Sequence, residues 1–298
     1  MNQLALAKRP EIPPAVDSRW YAGLDLRFQE SGGGCRLAHS RHRGPLYVQK
    51  PFYPEGRDLA HVYLLHPPGG LVSGDQLNIQ VQAETGARAL VTTTGAGRVY
   101  RARGDGLKQC QEVRLRLAAG SSLEWLPLEN IVYPGADGRL DTVVELTGES
   151  RFAGWEITSL GLPACGESFG AGALTQRLEI RRDGLPLFVE RLDLDQNGAG
   201  ADLLSAAAGL RGFPVTGLLV MGPFARAPDE SVLAQCRTLL RETAPDCLGA
   251  ITAVGEFQVV RCLGRCAFAV RQLLARLWAL LRPPLLGREA CPPRIWST

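Results

Sequence analysis

A set of acidic residues stands inside segments that are otherwise apolar or rich in glycine. Asp75 closes the stretch His66-Pro67-Pro68-Gly69-Gly70-Leu71-Val72-Ser73-Gly74-Asp75. Glu129 lies in Leu126-Pro127-Leu128-Glu129-Asn130, Glu156 in Gly154-Trp155-Glu156-Ile157, Glu167 in Cys165-Gly166-Glu167-Ser168-Phe169 and Glu190 in Val189-Glu190-Arg191-Leu192. Charged side chains are seldom buried without a partner. Taken singly, each acid is expected to pair with one of the many arginines. Taken together, they make a carboxylate set suited to a hard or borderline divalent cation.

Other metal and catalytic chemistries find less support. The four histidines include His39 and His42, three apart, and His61 and His66, five apart. In extended chain these odd spacings put the rings on opposite faces. The eight cysteines, at 35, 110, 165, 236, 247, 262, 266 and 291, contain no CxxC pair and are expected to be core thiols. Thr92-Thr93-Thr94-Gly95-Ala96-Gly97-Arg98-Val99-Tyr100 holds GxG after a strand, but Tyr100 stands where a dinucleotide fingerprint needs its third glycine. No P-loop, GxSxG, HExxH or EF-hand pattern occurs. The enzyme alternative is a β-rich hydrolase using Asp75 and His66, without a visible nucleophile, base and orienting group.

Composition narrows the class. The chain has 298 residues, 45% hydrophobic and 21% charged, with 34 glycines and 20 prolines. That balance fits a globular protein built from short strands and turns. A net charge of +3 without a Lys/Arg run argues against a nucleic-acid partner. No apolar run reaches membrane-spanning length, and the start lacks a basic segment followed by a long apolar one. A cytoplasmic protein with no membrane partner is the expectation.

The elements that must position the acids are mostly strands. Leu24–Phe28, Ala87–Thr92, Glu112–Leu117, Asp141–Leu146, Thr175–Ile180 and Leu187–Leu192 alternate apolar and polar residues. Turn signals such as Gly32-Gly33-Gly34, Glu84-Thr85-Gly86 and Asp183-Gly184 separate them. This pattern predicts a mainly β (α+β) fold of short, mostly antiparallel strands, and leaves open a barrel, a sandwich or a β-coil. Helical spacing predicts two C-terminal amphipathic helices, one over 229–241 and one over 264–281 that Pro283-Pro284 would end. Residues 1–18 read as a loose tail and 19–298 as a single domain, a β body to about 215 followed by a strand-and-helix part over 216–298.

Several blocks together carry a resemblance: HPPGGxxxGD at 66–75, TTTGAGRVYR at 92–101, Leu123-Glu124-Trp125-Leu126-Pro127 with Ile131, Cys165–Phe169, and Pro293-Arg294-Ile295-Trp296-Ser297-Thr298. Gly44–Pro54 and Val189–Leu192 add to it. In order and spacing they resemble the urease accessory protein UreD (UreH) family from about residue 20 to the end. The family usually has Pro at the position of Thr94, Thr or Ser at Gly97, and Arg at Leu162, so this chain departs there.

The resemblance implies a non-enzymatic maturation factor. It would bind apo-urease, recruit UreF and, through it, the GTPase UreG, and deliver Ni²⁺ to the urease active site. A homodimer within the accessory complex is also implied. The implied fold is mainly β, with coiled sheets and two C-terminal helices. Asp75, Glu156 and Glu190 match acids proposed to line an internal nickel path, with Glu129 and Glu167 as weaker members. The implied metal is transient rather than a tightly bound cofactor, and a transit path needs weak sites. The region from 229 onward would contact UreF, with Trp278, Ile295 and Trp296 as partner-facing residues. The competing expectation is a structural scaffold that docks to urease and opens it without conducting nickel.

Overall fold

The alternating segments pair into two sheets that face each other, and the computed structural model describes residues 19–195, 202–243 and 245–297. The expected N-terminal tail, 1–18, lies outside the described residues. The first sheet has seven strands in the order Leu185–Asp195, Ala173–Arg182, Asp137–Leu146, Gln109–Leu117, Asp75–Ala83, Trp20–Ser31 and Gly34–Arg43. The second has ten, with Cys247–Val254, Phe257–Gly264, Val215–Gly222, Arg151–Leu160, Ser122–Trp125, Arg88–Thr93, Ala60–Leu65 and Tyr47–Val48 in order, and Asn130–Val132 and Gly97–Val99 to one side.

The mainly β class with two C-terminal helices is as expected. Strand direction is not. From Ala60 to Arg182 the chain alternates between the sheets, so each return lays a strand parallel to the previous one in that sheet. The antiparallel pairs lie toward the edges, as in Trp20–Ser31 with Gly34–Arg43 and Ala173–Arg182 with Leu185–Asp195. Alternation reports that one face is buried and is silent on direction. In a coil of this kind, parallel strands of the first sheet keep one wet face, and Asp137–Leu146 buries every second residue.

Between the sheets lies one apolar core, with Leu26, Phe28, Leu115 and Val144 from the first sheet and Val91, Leu123, Phe152 and Val220 from the second. A second core lies behind the second sheet, under helices α1 (Glu230–Glu242) and α2 (Ala267–Leu286). Strand Arg151–Leu160 is therefore covered on both faces: Phe152 and Leu160 point into the first core, and Ala153, Trp155 and Ile157 into the second. Gly217 lets α2 come close, since a Cβ there would lie 2.6 Å from Val270.

Helix α2 runs through Pro283 and Pro284 instead of stopping before them. The two missing N–H groups fall in its last turns, and continuing the helix buries Leu285 in the second core. The terminator is Gly287, in the left-handed conformation (φ 68°), whose N–H donates to the Pro283 carbonyl. The cysteines also divide: Cys35, Cys236, Cys247 and Cys262 are buried, whereas Cys165 and Cys266 are exposed in the turn at Pro163–Cys165 and at the start of α2.

Candidate functional site

Even-numbered residues of Arg151–Leu160 face the first sheet, so Glu156 and Thr158 point into the space between the sheets. Opposite them, Thr142 and Gln176 occupy inward positions of their own alternating strands. The polar residues join in one chain. Thr158 Oγ1 donates to Gln176 Oε1 at 2.7 Å, Gln176 Nε2 donates to Glu156 Oε2 at 2.7 Å, and Thr142 Oγ1 donates to Glu156 Oε1 at 2.9 Å. Thr158 thereby fixes which end of the Gln176 amide meets the carboxyl. Burial pushes the Glu156 carboxyl above its ordinary pKa; the bonds from Gln176 and Thr142 oppose that, and Glu190 and Asp141 add to it.

Glu156 and Gln176 form a wall common to two cavities. The first, of 190 Å³, reaches from His66, Thr94 and Arg98 down to Thr142. The second, of 440 Å³, lies on the other side and is lined by Glu190, Arg261 and Leu263. A carboxyl thus stands between two cavities. Its neighbours are hydroxyl and amide groups, a donor set that fits a hard or borderline cation.

The other expected acids are placed differently. Glu190 lines the second cavity but is clamped by Arg261, whose Nε and Nη2 donate to it at 2.8 and 2.7 Å. Asp75 is buried and lines neither cavity; its carboxylate accepts from the Val72 N–H at 2.8 Å and closes the Pro-Gly turn. Two glycines of that turn are required: Gly69 has φ 69°, and a Cβ on Gly70 would lie 2.5 Å from Tyr100. Glu129 faces Arg271 on α2 at 3.6 Å and lines neither cavity, although its neighbours Leu128 and Asn130 line the first. Glu167 is exposed in the loop after Pro163–Cys165, where its backbone pairs with Leu162. At the departure from the resembled pattern, a Cβ on Gly97 would meet the Asn130 Oδ1 atom, so a side chain there requires the Asn130 amide to turn away.

The aromatic residues expected to meet a partner are internal. Trp278 is fully buried, and its Nε1 donates to Glu124 at 2.7 Å. Trp296 is 9% exposed, packs between Trp155 and Trp278, and donates to Thr92 Oγ1 at 3.0 Å. These rings bind the C-terminal segment to the second sheet and offer a partner almost no surface. Ile295 is partly buried against the same core.

Sequence reasoning missed a buried ionic cluster beside them. Arg282 on α2 donates to Glu124 at 2.9 Å and to both oxygens of Glu55 at 2.7 and 2.8 Å, and His61 Nε2 bonds Glu55 Oε1 at 2.7 Å. Glu124 carried the same signature as the acids singled out, a carboxylate inside an apolar run. Arg282 was hidden beside the prolines expected to end the helix. Burial opposes ionisation of Glu55, but the bonds from His61 and Arg282 outweigh it and lower its pKa to about 2.

That shift has a direction. A carboxyl with a lowered pKa in the fold stabilises the protein above its ordinary pKa, near 4.5, and loses that contribution as pH falls toward about 2. Acid titration of wild type is expected to remove on the order of 3 kcal/mol across that window through this group. Unfolding curves of wild type and Glu55→Gln should converge at the acid end; a constant gap between them would refute the assignment.

Among the described residues, no helix is long and apolar enough to cross a membrane, and no group of three His, Cys, Asp or Glu side chains is placed to hold a metal ion. The UreD urease accessory protein family matches residues 21–297. A urease accessory protein UreD of Marinomonas sp. is 44% identical over 302 aligned residues, covering 100% of this chain and 96% of the relative. That of Hahella chejuensis is 43% identical, covering 94% of this chain and 91% of the relative. One from Pseudomonas fluorescens is also 43% identical, covering 94% and 95%. With the match spanning nearly the whole chain, the protein belongs to the UreD urease accessory protein family.

Proposed function

We propose that this protein is a non-enzymatic, cytoplasmic nickel-insertion factor for urease. It binds apo-urease and, with UreF and with UreG through UreF, passes Ni²⁺ to the urease active site, working as a homodimer within the accessory complex. Nickel is its cargo, and it keeps no tightly bound cofactor. The observation that carries this reading is the position of Glu156 in the wall between two cavities. Burial favours the neutral carboxyl, and the Thr142 hydroxyl can turn to accept the carboxyl proton while Gln176 still donates to the other oxygen. Metal binding to a protonated carboxyl releases its proton, so the affinity of this position for a cation would rise with pH. One carboxyl with neutral neighbours binds weakly enough to let the ion leave.

Co-expression with the urease subunits, UreF and UreG tests the reading. The chain should co-purify with apo-urease, and nickel-dependent activation should fall without it. Activation that is unaffected by its removal would refute the function.

The Glu190–Arg261 clamp favours a second reading, a docking scaffold that opens urease without conducting nickel. Both side chains are partly exposed, so breaking the pair should change stability by no more than about 1 kcal/mol. On the nickel-path reading Glu190→Gln lowers activation while the melting temperature stays close to wild type. Unchanged activation in that variant removes Glu190 from the path and strengthens the scaffold.

A further inference from the structure

We propose that His66 supplies a nitrogen ligand to the ion at the end of the first cavity opposite Glu156, and that this imidazole selects a borderline divalent cation over Mg²⁺. The inference rests on the reading of the cavities as a cation path.

The His66 Nε2 atom is buried, has no hydrogen-bond partner and belongs to a residue lining the first cavity. Buried polar atoms without partners are uncommon in folded proteins, and each calls for an explanation. The backbone that carries the ring is held in place. The His66 carbonyl accepts from the Gly69 N–H at 2.7 Å, Pro67 fixes the next φ, and Asp75 closes the far end of the turn. The residues around the turn thus act as a mount for the imidazole. Asp75 does not enter the cavity and acts on it only through its charge.

Protonation is compatible with ligation. Burial pushes the His66 pKa below its ordinary value and the Asp75 charge only partly restores it, so the ring is neutral near pH 7. With its proton on Nδ1, Nε2 offers a lone pair to the cavity. The other charged groups facing this cavity are Arg98 and Glu156. Arg98 is tied back to the turn, its Nη1 donating to the Gly69 carbonyl at 3.4 Å.

The chemistry adds what an oxygen-only route lacks. Carboxylates and hydroxyls serve Mg²⁺ and Ca²⁺ as readily as a transition metal, whereas imidazole suits Ni²⁺, Cu²⁺ and Zn²⁺. A single nitrogen at one end of the route discriminates without building a closed cage.

The test uses the full chain purified with its accessory partners, and compares wild type, His66→Gln and Glu156→Gln. Ni²⁺ affinity is measured by equilibrium dialysis in excess Mg²⁺, and bound Cu²⁺ is examined by electron paramagnetic resonance for imidazole nitrogen coupling. His66→Gln is expected to weaken Ni²⁺ binding about tenfold, the lower end of metal-site losses, to remove the nitrogen coupling present in wild type, and to let Mg²⁺ compete. The proposal is overturned if the coupling persists in His66→Gln or is absent in wild type. If Glu156→Gln weakens Ni²⁺ binding and His66→Gln does not, the cation path stands and His66 is not part of it. If neither substitution changes binding, both fail. Retained Glu156-dependent binding in His66→Gln also shows that the variant is folded.

Discussion

Arg282→Met is expected to destabilise the fold by about 3–5 kcal/mol, the range found when one partner of a buried ion pair is removed. The guanidinium is fully buried and is shared between Glu124 and Glu55, with the Trp278 ring 5.2 Å from it. Methionine fills much of the volume but leaves Glu124 without its guanidinium and Glu55 with His61 as its remaining partner. Burial disfavours charge on Arg282 itself, yet Glu55 and Glu124 hold its pKa above the ordinary arginine value. The cluster ties three distant parts of the chain: the loop around Glu55, the strand Ser122–Trp125 and α2. Chemical denaturation should show the full loss in the midpoint. The triple variant Arg282→Met, Glu55→Gln, Glu124→Gln should recover a large part of it, because the uncompensated charges are then gone. A loss below about 1 kcal/mol for Arg282→Met would mean the cluster is hydrated and behaves like a surface pair.

The largest functional effect is expected at Glu156. Glu156→Ala should lower nickel-dependent urease activation by about tenfold or more, the scale on which metal sites respond to lost ligation and support. Two opposed effects act on stability, since the alanine leaves the buried Gln176 amide and Thr142 hydroxyl without their acceptor, at about 1–3 kcal/mol. A carboxyl whose pKa is raised by the fold contributes stability at low pH and loses it as pH rises above its unfolded value. Removing it therefore relieves a penalty at neutral pH. The isosteric Glu156→Gln sharpens the test: its oxygen can accept from Gln176 and its NH₂ can donate to Thr142, so the fold is kept while the ionisable group is lost. Wild-type activation in Glu156→Gln, with unaltered melting, would exclude a carboxylate path at this position and leave the docking scaffold as the better account.

The same residues show where sequence reading stops. The apolar run around Glu156 marked the residue as unusual, and its strand was legible. What was not legible is that Thr142 and Gln176 meet it, because they lie on other strands of a coil whose direction alternation does not encode. Asp75 looked like the foremost ligand because it ended the most distinctive turn. It closes that turn, and His66 at the other end reaches the cavity. Histidine spacing along the chain had argued against His66, but the relevant partners come from the fold rather than from neighbouring positions. The tryptophans read as partner contacts because an apolar helix and tail can cover either a sheet or another protein. The second sheet has an apolar outer face to bury, and they cover that.

By itself the sequence determined the β class, the two C-terminal helices, the glycine-dependent turn and, through the order and spacing of its blocks, the family. These follow from local conformational preference, periodicity and block order, which a linear chain carries intact. Only the tertiary structure decided strand direction, the continuation of α2 through its prolines, the Arg282 cluster and the residues gathered around the cavities. Each of these depends on contacts between positions far apart in the chain, and side-chain burial and pairing across that distance have no local signature.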